Sequence, residues 1–310
     1  MADVRPVPDS PPAIAVVIAT RGRPADAARA VRCLLQTPGV SEVCVIDQSD
    51  DGATLQSLAD IAPDPRMSVT HCPPDGLGAA RNRGMRRCTA PLVAFTDDDC
   101  DPDPGWAVAA ASAFESDPRI GLVFGAVQAL PYDRSAGFIP AYPSPRAYTG
   151  RDVRDKPRIE GMGACMAVRR SVWERLGGFD ETFGAGGFFR SGEDTDFAIR
   201  TLAFGYWVAE TPDAIVIHRG FRTWQQGTTL VESYMFGLGA ANAKLLRLRG
   251  WKALAPIAAL GRRWLTGHPV VDLNHLPPRL LRLRAFLRGA WTAMRMPIDP
   301  ATGLFVAPPR

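Results

Sequence analysis

Several groups of polar residues in this sequence have the types and positions that chemistry requires. Asp97, Asp98 and Asp99 stand together at the end of the apolar run Leu92, Val93, Ala94, Phe95. Three adjacent carboxylates repel one another, so a fold keeps them either in water or beside a divalent cation such as Mg²⁺ or Mn²⁺. Thr20 to Arg23 and Asp47 follow two other short apolar runs directly, and His218 ends a third. Further along, Gly192, Glu193, Asp194, Thr195 and Asp196 put three acids where a helix begins. These acids read either as charges that suit the positive end of a helix, with Ser191 or Asp194 as its cap, or as acid–base chemistry. His218 reads either as a structural histidine or as a metal ligand.

The elements that must position these groups follow from the periodicity. Residues 14–19 (IAVVIA) predict a strand, and Thr20 to Pro24 a loop and a helix with proline in its first turn. That helix runs to about Leu35, where Thr37, Pro38 and Gly39 break it. A strand over 43–46, a helix over 53–61 and a short strand over 67–71 come next. The glycines of 73–84 mark a loop entering a helix that ends at Arg87. The run at 92–97, a helix over 104–115 and a strand over 120–127 complete the first part. Strands alternating with helices imply right-handed crossovers and a parallel sheet, whose ligands lie beyond the carboxyl ends of the strands. Thr20 to Arg23, Asp47 and Asp97 to Asp99 therefore line one edge.

Beyond residue 130 the pattern is lost until 158, a length of irregular chain that reads as a mobile or functional loop. A strand over 163–168 and a helix over 169–176 restore it. Gly184, Ala185, Gly186 and Gly187 are almost free of side chains and suit a flexible lid. A helix through about Phe204 and two short strands, 206–209 and 214–217, precede His218. Helical patterns then occupy 234–248 and 280–294.

Composition bounds the rest. The 310 residues are 46% apolar, enough for a sizeable core, and disorder is not indicated. The six cysteines are scattered without a C-x-x-C pair, which fits reduced thiols in a cytoplasm. Residues 1–12 carry acids and prolines where a signal peptide would need a basic start, and read as a flexible arm. No stretch approaches the roughly 20 apolar residues of a membrane span. The net charge of +4 hides an asymmetry: residues 219–310 hold 14 Lys/Arg against 3 acids, the first 218 hold 22 against 29. An acidic body with a basic tail points to a negatively charged partner surface.

Taken together, VVIATRGR, VCVIDQSDD, GLGAARNRG, LVAFTDDDCDPDPGW, GACMAVRRSVWERLGGFDE and GEDTDFAIR resemble, in this order and spacing, the family 2 glycosyltransferases. The resemblance covers about residues 14–221 and implies an α/β GT-A fold: a Rossmann-like, mostly parallel sheet flanked by helices. It divides the chain into a transferase domain over 13–221, with a nucleotide-binding half to about 127 and an acceptor half beyond it, and a basic helical extension over 222–310. By resemblance, Asp97 and Asp99 form an Asp-x-Asp pair holding Mn²⁺ or Mg²⁺ with His218, Asp99 being the direct ligand. Asp98 turns to the donor ribose or sugar, Asp47 to the base, and Thr20, Arg23, Gly78 and Arg81 approach the nucleotide. Gln48 departs from the small or acidic residue usual after that aspartate. Gly163, Ala164 and Glu193 are implied at the acceptor or sugar pocket, and Asp194 as general base in a single inverting displacement. The implied donor is a UDP-, GDP- or dTDP-sugar, and the acceptor a glycan, a lipid-linked or a small-molecule hydroxyl.

Two rival enzyme readings, the first kept as an alternative, match the motifs less well. A sugar-phosphate nucleotidyltransferase needs a glycine-rich, basic signature behind its first strand, where only Thr20 to Arg23 stands. Gly76 and Gly78, with Arg81 in place of the third glycine, match a dinucleotide fingerprint poorly. A non-catalytic binding module remains the other class. Its basic tail does not read as a nucleic-acid surface, because the arginines sit with leucines on helices. Those helices read either as an attachment to an anionic membrane, at its inner face, or as solvated basic faces capping the core.

Overall fold

The computed structural model describes residues 13–143, 146–266 and 277–306; the arm expected over 1–12 lies outside them. The first part follows the expected alternation: β1 (Ile14–Thr20), α1 (Pro24–Gln36), β2 (Val40–Asp47), α2 (Ala53–Ser57), β3 (Met67–His71), α3 (Leu77–Arg87) and β4 (Leu92–Asp97). Then come β5 (Cys100–Pro102), α4 (Trp106–Glu115), β6 (Ile120–Ala129), β7 (Gly137–Phe138), β8 (Tyr148–Gly150), a 3₁₀ helix (Val153–Arg158), β9 (Met166–Arg169) and α5 (Arg170–Arg175). The chain continues through α6 (Glu193–Ala203), β10 (Trp207–His218), β11 (Arg222–Thr223), α7 (Trp224–Arg249), α8 (Leu254–Thr266) and α9 (Arg279–Arg295).

The main sheet has the order β3-β2-β1-β4-β9-β6-β10-β5, with β8 also on β10. β3, β2, β1 and β4 are parallel neighbours, as are β6 and β10. Helices cover both faces, so each central strand is buried on both sides and reads as an unbroken apolar run. In β1, Ala15 and Val17 enter one core while Ile14, Val16 and Ile18 enter the other. Helix α3 lies so close on β1 that a Cβ on Gly84 would meet Val17 Cγ1 at 2.3 Å.

Several elements differ from the sequence-based expectation. The strand expected over 163–168 is β9, starting at Met166 and running antiparallel between β4 and β6. The two short strands before His218 are one strand, β10, whose register against β6 shifts between Glu210 and Ile215. Pro212 falls within that shift, where a missing N–H breaks no ladder bond. Helix α2 stops at Ser57 and gives way to turns.

The irregular stretch after residue 130 is tied down. β7 pairs with β11, β8 with β10, and Tyr142 bridges Val127. The four residues 184–187 also pack: Leu77 N donates to Ala185 O at 2.8 Å, and a Cβ on Gly76 would meet Gly187 N at 3.1 Å. Gly184 and Gly186 are there for left-handed backbone, with φ of 91° and 81°. Cys44 and Cys88, far apart in sequence, bring their buried sulfurs to 2.7 Å.

The segment beyond residue 221 enters the same core. Lys244, one of the basic residues counted in the tail, is fully buried. Its Nζ lies 2.5 Å from Asp180 and 2.6 Å from Asp196. Arg247 donates to Ala293 O at 2.9 Å, tying α7 to α9. Phe305 N donates to the Asp180 carboxylate at 2.8 Å, so the chain end closes over the same charges.

Candidate active site

The carboxyl ends of β1, β2, β4 and β10 gather the polar groups. Asp99 is the most engaged. Its Oδ2 accepts from Arg23 at 2.8 Å and lies 3.7 Å from Arg222, and its Oδ1 lies 3.2 Å from His218 Nε2. Burial would raise the Asp99 carboxyl, but the His218 hydrogen bond and the charges of His218, Arg23 and Arg222 push it down to about 2. Asp98 accepts from the Thr20 hydroxyl at 2.7 Å and from Arg23 at 2.8 Å. Its burial dominates and raises it to about 6. Asp97, at the strand end, is the more open of the three and lies 3.9 Å from Arg81.

His218 is positioned by the formerly irregular stretch. Its Nδ1 meets Pro140 O at 2.6 Å, and because a carbonyl can only accept, that nitrogen carries a proton. Nε2 is therefore the nitrogen facing Asp99. Burial pulls the imidazole down, and the Asp99 carboxylate outweighs it, so its protonated form is favoured. The ligand atoms of Asp97, Asp99, Cys100 and His218 lie within 4.8 Å of one another. Two carboxylates and an imidazole whose second nitrogen is held by a carbonyl are the donors Mn²⁺ or Mg²⁺ accepts. The buried Cys100 thiol is held protonated by its burial and the neighbouring aspartates, and is not part of that oxygen and nitrogen set.

The residues expected at the nucleotide divide into those that face the site and those that build it. Asp47 is fully buried and accepts from Ser49 N at 3.0 Å and from His71 Nδ1 at 3.1 Å. Its burial opposes ionisation, and the bonds from Ser49 and His71 overcome it and hold the carboxyl below the usual range. Gln48 donates to Asp75 at 2.7 Å and to Pro73 O at 3.2 Å, holding the β3–α3 loop against the end of β2. Gly78 packs tightly, since a Cβ there would meet Asp180 O at 3.2 Å. Arg81 is buried, with Nη1 on Glu193 at 2.7 Å and Nη2 on Gly163 O at 3.1 Å. It braces the site from behind instead of reaching outward.

Asp194 stands in the first turn of α6, half-buried. Its Oδ2 accepts from Gly163 N at 2.8 Å and its Oδ1 from Thr195 N at 2.6 Å, leaving each oxygen a free lone pair. The helix cap is Gly192, in left-handed backbone at φ 84°, and neither Ser191 nor Asp194 caps it. Ser191 instead donates to Ser233 O at 2.9 Å, and Asp196 is buried between Arg200 and Lys244. The residues expected at an acceptor pocket lie behind Asp194. Gly163 and Glu193 hold Asp194 and Arg81, and Ala164 is buried in the core. Burial raises Glu193 to about 7 against the pull of Arg81.

The sequence reading missed Gly220, Arg222 and Tyr234. A Cβ on Gly220 would meet Asp99 Oδ2 at 2.4 Å and His218 Nε2 at 2.8 Å, so only glycine fits beside this cluster. The signal was adjacency: Gly220 and Arg222 lie two and four residues beyond His218. Tyr234 gave none, sitting in an ordinary helical pattern. Its phenol is raised by local desolvation and by the charges of Asp194, Glu193 and Asp97. An open cavity of about 450 Å³ lies beside Arg222, lined also by Gln226, Thr229, Leu230 and Ser233.

Comparison with known proteins bears on the fold and the family. The Pre-mycofactocin glycosyltransferase of Mycobacterium tuberculosis is 30% identical over 159 residues, 49% of this chain; the match covers 32% of that relative's length. The mannosyltransferase PcManGT from Pyrobaculum calidifontis, solved in complex with GDP-Man and Mn²⁺, superposes with a TM-score of 0.56 at 22% identity, covering 94% of this chain and 86% of the other. S. aureus TarS 1–349 gives 0.63 at 14% identity, covering 90% and 81%. These likenesses are of fold, the GT-A arrangement of a mixed sheet between helices. The model of the family described as Glycosyl transferase family 2 matches residues 15–177, and with more than half of its length carrying that pattern, the chain belongs to glycosyl transferase family 2.

Proposed function

We propose that the protein transfers a sugar from a nucleoside-diphosphate sugar to an acceptor hydroxyl, with inversion at the anomeric carbon and Asp194 as general base. The observation that carries this reading is the pairing of a half-buried carboxylate, steadied by Gly163 N and Thr195 N, with the nearby Asp97, Asp99 and His218 cluster. The relatives support it: one is named a glycosyltransferase, and a structural neighbour holds GDP-Man and Mn²⁺. Asp97, Asp99 and His218 would hold the Mn²⁺ or Mg²⁺, which when bound would neutralise the leaving diphosphate.

The chain's own groups do the remainder. The end of β2, with Asp47, receives the base, Thr20 and Arg23 approach the nucleotide, and Asp98 faces the ribose or sugar. The acceptor lies in the cavity beside Arg222, where Gln226, Thr229 and Ser233 offer polar partners to a hydroxylated molecule. Asp194 takes the hydroxyl proton as that oxygen attacks the anomeric carbon. The bond from that carbon to the phosphate oxygen breaks, and the nucleoside diphosphate leaves with the electron pair.

An Asp194→Asn variant tests the assignment. Donor affinity by calorimetry should stay near wild type, while turnover falls about 10²–10⁴-fold, because the loss falls on the transition state. Retained turnover would move the base to another residue.

A further inference from the structure

We propose that the outward face of α9 rests on an anionic lipid bilayer. Helix α9 runs parallel to α7 and packs on it through Ala285, Gly289 and Ala293, spaced four apart. The approach is close. A Cβ on Gly289 would meet Phe236 O at 1.9 Å, and one on Gly239 of α7 would meet Phe286 O at 2.0 Å. This contact decides which side of α9 is left over.

At about 100° per residue, Leu280, Leu283, Leu287, Trp291 and Met294 fall within an arc of about 80° opposite the buried stripe. All five are exposed, Leu280 by 75% and Trp291 by 61%. Over 17 residues the ridge is about 25 Å long. Arg284, Arg288 and Arg295 run along one flank, and Arg279 lies on the other. Arg295 sits 3.9 Å from the centre of the Trp291 ring. Five arginines and no acid occur in this helix.

An apolar ridge of this length beside cationic flanks matches the boundary of an anionic bilayer, where leucines enter the acyl region and guanidinium groups meet phosphates. A second copy of the chain is a poorer occupant, because pairing two such ridges would set arginine flank against arginine flank. Nucleic acid would engage the arginines and leave the leucines in water. Among the described residues no helix is long and apolar enough to cross a membrane, so the contact lies on the surface of the bilayer. Glu232 of α7 pairs with Arg288 at 3.4 Å, and the adjacent Ser233 carbonyl accepts from Ser191 beside the Glu193–Asp194 turn. The lipid face therefore lies one helix away from the site.

Flotation on vesicles of phosphatidylcholine alone, and of phosphatidylcholine with phosphatidylglycerol, reads the contact without any turnover. The wild-type protein should float only with the anionic vesicles, and less as salt is raised. Arg284→Gln with Arg295→Gln should bind about thirtyfold more weakly, at about fivefold for each basic residue removed. Leu283→Ser with Leu287→Ser should bind at least about tenfold more weakly. Thermal melts of both variants should match wild type, since all four positions are exposed. No flotation, equal flotation on neutral vesicles, or variants that float like wild type would overturn the proposal. So would sedimentation showing a dimer that Leu283→Ser with Leu287→Ser dissolves and lipid does not affect, which would assign the face to a second copy.

Discussion

The residue that organises the site is Asp99, and what surrounds it differs in how far it could be read. The triplet and His218 were visible because each ends an apolar run, and the sheet brings such ends together. What put Asp99 apart from Asp98 was not visible: the Asp99 carboxylate is held by His218, Arg23 and Arg222, that of Asp98 by Thr20 and Arg23. Those partners come from loops whose course depends on long-range packing. Gly220 is the sharpest residue-scale test. A methyl there would press on Asp99 Oδ2 and His218 Nε2. Gly220→Ala should leave the melting temperature within a few degrees of wild type and weaken Mn²⁺-dependent nucleotide binding by at least about tenfold, a loss of about 1.4 kcal/mol. Unchanged binding in a calorimeter would show that this cluster does not serve the nucleotide.

At the scale of elements, the sequence displayed periods and missed interruptions. β1, α3 and β4 were readable because their apolar patterns are unbroken, whereas β10 looked like two strands because Thr211, Pro212 and Asp213 interrupt it. The interruption adjoins a buried carboxylate, Glu210, whose Oε1 accepts from Glu160 N at 2.9 Å and Gly161 N at 3.1 Å. Burial raises Glu210 to about 7, against the pull of Tyr142 and Lys156. The folded state thus holds this proton more tightly than the unfolded chain. Its contribution to stability is complete below about pH 4.5 and is lost as the pH rises to about 7. Glu210→Gln keeps the oxygen for both N–H groups, so melting temperatures should fall less across that window than in wild type; an unchanged slope would contradict this assignment. Helix α7 carries the second test. Lys244 lies between Asp180 and Asp196, and Lys244→Met would leave these buried acids without it. Urea unfolding should show a loss of about 3–5 kcal/mol.

For the molecule as a whole, composition separated an acidic body from a basic tail, and the six motifs carried the family. The same view set a division at residue 221 that the packing does not respect. Arg222 reaches Asp99, Lys244 neutralises two core acids, and Phe305 N closes on Asp180. A buried lysine and an exposed arginine are indistinguishable by charge count, which is why the tail looked separate. A chain ending at residue 221 should consequently show no cooperative thermal transition, by calorimetry, where the full chain shows one. The proposed nucleotide-sugar site, built on Asp99 with Asp194 as base, is put to the test by titrating GDP-, UDP- and dTDP-sugars into wild type, Asp99→Asn and Asp194→Asn, with Mn²⁺ and with chelator. At least one donor should bind wild type and Asp194→Asn equally in Mn²⁺, and bind at least about tenfold more weakly to Asp99→Asn or with chelator. Failure of every donor to bind, or binding indifferent to both Asp99 and Mn²⁺, would contradict it.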